Sequence, residues 1–378
     1  MATAPAVSQT HSTPNLSIPA SVLPQVAPST YLLSHLISAA AARPSGRTPF
    51  QTRPVDLNTA SLTNANGSAL VRLGNTSILC GVRAEILDTR DIANYRPLNG
   101  HRGVKRKRDV TGSTAHGLSP SGVDFAEDSS DEDNFEVVQH SLIVPNIELQ
   151  TGASPQPAYQ ASSGAPSALA QSLTHRILST IRSTNLIRAN DLRIYGPDIS
   201  SIEEGSAADD IPDILRGYYV LYIDILVLSH DGSIFDAAFM ALLAALRNTI
   251  LPKAVFDNDR DQIICSSDLQ QFKRLNLKRA SPVALSWKVF VDTEEEKGRP
   301  WILLDPDAFE EDSGACSEGG TIIVDNTNDN ETKILKLEKN GGPSLRTDVL
   351  EAIVMAASKR WIEWRKTLAK ADATAMPT

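Results

Sequence analysis

The sequence predicts an α+β protein folded as two successive lobes, and three observations lead there. Val55 to Ile86 carries turn signals between short alternating runs, the pattern of a β-meander. Tyr219 to Leu228 is an apolar run rich in Val, Ile, Leu and Tyr, read as a strand buried on both faces. A strongly helix-forming segment follows it from Ile234 to Arg247. After Pro252, a second group of strand-like segments ends in a long amphipathic helix. The 378 residues suffice for two packed lobes, and a hydrophobic content of 41% supplies their cores.

Taken in order, residues 1–28 are rich in Ser, Thr, Pro and Ala and are expected to form a disordered tail. From Ser29, a capping residue and apolar positions at Leu32, Leu33, Leu36 and Ile37 predict a short amphipathic helix. The turn Arg43-Pro44-Ser45-Gly46-Arg47 ends it. In the meander, Asn64-Ala65-Asn66-Gly67 marks a hairpin, and Gly74-Asn75-Thr76 turns into a buried strand, Ser77 to Val82. Residues 88–138 read as an insertion, with a basic run from Arg102 to Arg108, an acidic run from Asp124 to Glu136 and little apolar periodicity. A stretch so long is expected to be a mobile, disordered surface loop.

Pattern resumes at Ser141 to Asn146, and Ala165 to Ser183 sets Leu169, Leu173, Ile177 and Ile181 at helical spacing. Asp191 to Tyr195 predicts a short strand, and Ser200 to Asp213 an acidic loop. His230-Asp231-Gly232 is a turn signal, and Ser233 offers a cap for a helix that is apolar nearly all round and so buried. The first lobe is expected over residues 29–257 and the second over 258–372. Strands are predicted there at Leu275–Lys278, Val283–Val291, Trp301–Leu304, Gly320–Val324 and Thr332–Leu337, with acidic connecting loops at Glu294 to Glu296 and Glu310 to Asp312. The closing helix, about Ser344 to Lys370, places Leu350, Ile353, Val354, Ala357, Trp361 and Trp364 on one side.

Composition excludes several function classes. A formal charge of −9 argues against a self-sufficient nucleic-acid binder, because phosphate affinity comes from clustered Lys and Arg. The three cysteines, Cys80, Cys265 and Cys316, form no CxxC or Cys/His pattern, so neither a disulfide frame nor a zinc site is expected. No window approaches a transmembrane span and no secretory signal is evident, so the chain is expected to be soluble and intracellular. The seven histidines are scattered, with no HExxH and no nucleophile elbow.

The block YYVLYIDILVLSHDGSIFDAAFMALLAALRNTILP, together with TNANGSALVRLGNTSILCGVRAEI and SLIVPN, resembles the RNase PH family in the version carried by exosome ring subunits. RPSGR resembles the RPDGR turn that precedes the meander there, with Ser45 where an acid is usual. The resemblance covers roughly residues 40–87 and 140–370. It implies an RNase PH-like α+β fold, with a ribosomal protein S5 domain 2-like first lobe and a smaller α+β second lobe. It further implies a hetero-hexameric ring with other RNase PH-like subunits, capped by S1/KH proteins and threading RNA to a separate hydrolytic exoribonuclease. Nuclear, nucleolar and cytoplasmic RNA processing and decay would be its setting, with no cofactor.

Active members of that family cleave RNA from the 3′ end with inorganic phosphate as nucleophile. Such a site needs convergent cations or helix N-termini for the anions, and carboxylates for a metal and acid/base work. Asp224 in the strand, Asp231 in the turn and Asp236 in the first helical turn are the candidate carboxylates. Each also has a plain structural account: Asp231 as turn chemistry, Asp236 at the positive end of a helix dipole, and Asp224 in a buried hydrogen-bond network. In catalytic members an Asp-Gly-Gly-Thr-Arg turn matches Asp231; here it reads Asp231-Gly232-Ser233-Ile234-Phe235, with an apolar residue at the arginine position. The span from Asp109 to His175, where the family's arginine-bearing phosphate loop falls, contains neither Lys nor Arg. The expectation is therefore a non-catalytic ring subunit whose carboxylates are relics, with no metal. The alternatives are a phosphate-dependent 3′–5′ exoribonuclease completed by a neighbouring subunit, and a free-standing RNA-binding protein. Lys105, Arg106, Lys107 and Arg108 are candidates for an RNA contact or a nuclear import signal, against the plain reading of a solvated charge run. Ser129 and Ser130, followed by Asp131-Glu132-Asp133, are possible phosphorylation sites.

Overall fold

The computed structural model describes residues 19, 22–38, 41–93, 95, 135–160, 165–197, 213–279, 281–291, 300–316, 318–327, 331–342 and 346–375. The tail reading of residues 1–28 falls mostly outside them, but Leu23–Val26 is one helical turn. It leads directly into helix α1, Pro28–Ile37. The meander forms as β1 (Val55–Thr59), β2 (Gly67–Leu73) and β3 (Thr76–Asp88). Then come β4 (Ile143–Leu149), helix α2 (Ala168–Thr184) and β5 (Arg193–Pro197). The long strand β6 (Asp213–Ser229) precedes helix α3 (Ile234–Asn248).

These strands make one six-stranded sheet in the order β1-β2-β3-β6-β4, with β5 paired to the first half of β6. All pairings are antiparallel except β4 with β6, whose return connection is carried by α2. Helix α3 has every residue from Ile234 to Leu246 buried, as its all-round apolar sequence requires, and it packs across β2 and β3.

The second lobe has a four-stranded antiparallel sheet in the order β10-β9-β11-β12. Its strands are β9 (Val283–Phe290), β10 (Trp301–Leu304), β11 (Glu318–Asp325) and β12 (Lys333–Asn340). The short helix α4 (Ala308–Asp312) lies between β10 and β11, and the long α5 (Thr347–Ala375) closes the chain. Ile353, Ala357, Trp361, Trp364 and Leu368 of α5 are buried in the same hydrophobic cluster as β2, β6 and β9, so one core runs through both lobes.

Four expectations need correction. A lobe boundary at 257 would cut a β-hairpin, β7 (Ala254–Asp257) with β8 (Gln262–Cys265). That hairpin leans on the first sheet, with Phe256 against Gly196 and Ile263 against Gly217. Helix α1 sits with the second lobe instead of the first: Leu32 and Leu36 pack on Phe290, Leu303 and Cys316. The insertion is narrower than 88–138, because β3 runs to Asp88, Thr89–Asp91 is a 3-10 turn and residues 135–139 are helical. Leu275–Lys278 is no strand; its one ladder contact is the bridge Ile187 to Leu277.

Candidate functional site

The turn after β6 is where the candidate carboxylates were to converge. Gly232 has φ +83°, and a Cβ there would lie 2.3 Å from the carbonyl oxygen of Pro306, so only glycine fits. Asp231 sits in the turn with its N–H donated to Thr76 Oγ1 at 2.9 Å. Its Oδ2 accepts from Asn75 Nδ2 at 3.2 Å and faces Arg53 Nη1 at 3.7 Å. Ser233 is no side-chain cap. It is left-handed at φ +51°, and its hydroxyl donates to the Pro306 carbonyl.

Asp236 belongs elsewhere. It is buried, and its two oxygens accept the backbone N–H of Ser286 at 2.6 Å and the Ser286 hydroxyl at 2.7 Å. Burial pushes its carboxyl up to about 6. Asp236 thus ties α3 to β9, a lobe-to-lobe strut in place of the expected dipole partner at a helix end. Asp224 departs further from expectation. From Tyr222 onward β6 is buried on one face only, and the Asp224 side chain is 57% exposed, 3.8 Å from Arg83 Nη2. Five strand residues follow Asp224, and at ~3.3 Å each they put the end of β6 about 16 Å away, with Asp231 in the turn beyond it. The three acids do not form one site.

The residues that do converge were not singled out by sequence. The segment Leu304 to Asp312, of which Glu310 to Asp312 was expected in an acidic loop, is largely buried and gathers three arginines of the first lobe. Arg43 pairs with Glu310 at 3.0 Å and donates to the carbonyls of Leu304, Pro49 and Gln51. Arg47 Nη1 donates to the Asp305 carbonyl at 2.9 Å. Arg53 Nη2 meets Asp305 Oδ1 at 2.6 Å, and its backbone N–H donates to Asp305 Oδ2 at 2.7 Å. Burial alone would raise the Asp305 carboxyl, but the hydrogen bonds and charge of Arg53 hold it below the usual carboxylate range. Helix α4 begins with a capping box, Asp307 with Glu310, and that is why an acid-rich run folds as a turn of helix.

Beside this junction lies a cavity of about 290 Å³ between α2, the start of α3 and the second sheet. Its polar wall comprises Arg176, Ser233, Ser286, Lys288, Glu311 and Asp312. Glu311 Oε1 accepts the backbone N–H of Ser233 at 3.1 Å, so the chain's own carboxylate occupies the N-terminal end of α3. Burial pushes Glu311 up to about 7, while the nearby Lys288 favours its charged form. His230, stacked on Tyr159 at 5.3 Å, has Nε2 3.5 Å from Asp312 Oδ2. Arg176 lies 4.1 Å over the Phe235 ring, with Nε on Glu338 at 3.0 Å and Nη2 on Thr321 Oγ1 at 3.1 Å. It is the first cation after the gap at 109–175, and its spacing from Leu169 and Leu173 put it on the inward face of α2. Among the described residues, no group of three or more His, Cys, Asp or Glu is placed to hold a metal. Lys105, Arg106, Lys107, Arg108, Ser129 and Ser130 lie outside the described residues.

The model of the 3′ exoribonuclease family, domain 1 (RNase PH), matches residues 51–101 and 121–252. The exosome complex component rrp43 of Schizosaccharomyces pombe is 30% identical over 346 residues, 92% of this chain and 97% of the relative. The exosome complex component Rrp42 of Methanothermobacter thermautotrophicus is 26% identical, over 84% of this chain and 86% of the relative. Among solved structures, the Archaeoglobus fulgidus exosome with RNA bound to the active site shares the fold, with a TM-score of 0.54 at 21% identity. That match covers 89% of this chain and 96% of the other. The segments DGSIFDAAFMALLAALRNTILP and LNLKR with SPVALSW pointed to the ribosomal RNA-processing protein 43 type, the kind to which the fission yeast relative belongs. Coverage of nearly the whole of that relative, at this identity and with this fold, places the chain in the RNase PH 3′ exoribonuclease family, among its exosome components.

Proposed function

We propose that the chain is a non-catalytic wall subunit of an exosome-type RNase PH ring, serving assembly and RNA guidance in 3′–5′ processing and decay. The observation that carries this reading is the Glu311 carboxylate seated on the Ser233 N–H at the start of α3. Phosphorolysis brings a phosphate ion and an RNA end together, and both are anions. A helix end whose N–H is already taken by Glu311, with Asp312 beside it, is closed to them whether Glu311 is charged or protonated. The nearby arginines are committed: Arg176 to Glu338 and Thr321, and Arg43, Arg47 and Arg53 to the 304–310 segment. Asp224, Asp231 and Asp236 are then relics with structural duties.

On this reading the partners are related RNase PH-like subunits, S1/KH cap proteins, a hydrolytic exoribonuclease and RNA, in nucleus and cytoplasm. Lys105, Arg106, Lys107 and Arg108 supply an RNA contact, which unchanged crosslinking after deletion of 102–108 would remove. A rival reading, a phosphorolytic site completed by a neighbour, draws on Arg176 and Lys288 beside the cavity. The test is phosphate-dependent shortening of end-labelled RNA by rings assembled with the full chain. Asp231→Ala and Lys288→Ala are expected to leave the rate unchanged. Loss of phosphate-dependent product on either substitution overturns the proposal in favour of the rival.

A further inference from the structure

Asparagine followed by glycine is among the most labile dipeptides in a protein chain, because glycine leaves its backbone nitrogen unshielded. That nitrogen can attack the side-chain carbonyl carbon of the asparagine and close a five-membered ring. The sequence carries the dipeptide three times, at Asn66-Gly67, Asn99-Gly100 and Asn340-Gly341. Asn99 lies outside the described residues. The other two share one chemistry and differ in how the fold holds them.

Asn66 is tied through both backbone and side chain. Its N–H donates to the Val82 carbonyl at 2.9 Å, and its carbonyl accepts the Ile250 N–H at 2.8 Å. Its Oδ1 accepts the Ala84 N–H at 2.9 Å, while Nδ2 donates to the Ile250 carbonyl at 3.2 Å. Gly67 begins β2 in register with Val82, and a Cβ there would lie 2.3 Å from Thr249 Oγ1. Ring closure has to break these bonds and finds no room to turn the peptide.

Asn340 is held by none of this. It is the exposed last residue of β12, an edge strand, where it pairs with Gly319. Beyond it the ladder stops. Gly341 and Gly342 have φ +74° and +63°, a left-handed turn that glycine enters without strain. Among the described residues the Asn340 amide has no hydrogen-bond partner. A strand end of this kind opens at little cost.

We propose that Asn340 is a site of spontaneous covalent modification, converting to aspartate and isoaspartate in the folded chain while Asn66 is preserved. The Gly341 nitrogen bonds to Asn340 Cγ, and Nδ2 leaves as ammonia, taking up through solvent the proton that Gly341 loses. Water then opens the resulting succinimide at either carbonyl, giving aspartate or isoaspartate with no oxidant or reductant. Both products set a carboxylate where an amide stood. Asn340 lines the cavity of about 290 Å³ together with Arg176, Lys288, Glu311 and Asp312. The modified chain therefore presents three acids to two bases on that wall, which turns it further against anions. The proposal stands whether or not the chain enters a ring.

The test incubates the purified full chain at neutral and mildly alkaline pH and follows both peptides by mass spectrometry. Electron-transfer fragmentation separates isoaspartate from aspartate. Asn340 is expected to convert at least about ten times faster than Asn66, a margin that one or two net hydrogen bonds account for. Its rate should rise with pH, because base removes the Gly341 proton. In guanidinium chloride the two rates are expected to converge, since the fold alone distinguishes the sites. Asn340→Gln is expected to abolish the signal at 340 and to leave the unfolding midpoint unchanged. Conversion of Asn340 no faster than that of Asn66 in the folded chain overturns the proposal. So does a gap between them that survives in denaturant, or a signal that persists in Asn340→Gln.

Discussion

Asp236 sits where water does not reach, and the proton equilibrium there carries a measurable consequence. Its carboxyl, ordinarily at 3.8, is pushed up to about 6 by burial, against the opposing pull of two hydrogen bonds from Ser286. A folded-state pKa above the unfolded one means that the native chain binds the proton more tightly. The stabilisation is complete below pH 3.8 and is lost as pH rises through about 6. Its size is on the order of 2–3 kcal/mol. Glu311, raised from 4.5 to about 7, acts in the same direction over a window displaced upward. Asp236→Asn is expected to flatten the fall in stability between about pH 4 and 6, and Glu311→Gln the fall between about pH 5 and 7. Urea denaturation across that range checks both, and an unaltered slope in either variant would assign the titration to another group. Gly232→Ala is a separate matter of space. With φ +83° and the Pro306 oxygen 2.3 Å from its Cβ, it is expected to cost at least about 2 kcal/mol. At this scale the sequence was only half legible: Gly232 was readable as a turn glycine because turn chemistry is local. Asp224 was misread, because an apolar run does not disclose which of its faces finds a partner within the same chain.

Helices and strands were more legible than the contacts between them. β6 and α3 follow from continuous apolar runs and α5 from apolar residues at helical spacing, signals that depend on neighbours in sequence. The segment joining β10 to α4 is different, since Arg53 and Asp305 are 252 residues apart and no periodicity links them. Its logic is that of a clamp. Arg43, Arg47 and Arg53 come from one turn and the strand approach after it, and they close on the carbonyls and carboxylates of residues 304–310. Arg360 of α5 then donates to the Arg53 carbonyl at 2.6 Å, adding a third element. Removing one partner of a buried ion pair leaves the other charge stranded, which costs about 3–5 kcal/mol. Arg53→Met is expected to lower stability by that order, with Asp305→Asn in the same background restoring part of it. A double-mutant cycle by denaturant unfolding measures the coupling, and additive losses would mean that the clamp holds nothing. Helix α1 is held differently. Leu36, 1% exposed against Phe290 and Leu303, is an ordinary core residue, and Leu36→Ala should cost about 2–4 kcal/mol.

At the scale of the molecule, two sheets that could have been separate domains share their interior. A single hydrophobic cluster includes Ala69 and Val71 of β2, Phe239 of α3, Trp287 of β9 and Trp361 and Trp364 of α5. The clamp and the Asp236 strut to Ser286 cross the same boundary. With so much buried across the junction, neither lobe keeps its core when the other opens, so the chain is expected to unfold as one cooperative unit. Calorimetric and van't Hoff enthalpies should then agree, although two-lobed chains of this length often show two transitions. Arg53→Met weakens only the junction. It is expected to lower the single midpoint without splitting it, because the shared apolar core still couples the lobes. Two resolved transitions in the wild-type chain would contradict that picture, and splitting only in Arg53→Met would assign the coupling to the charged clamp.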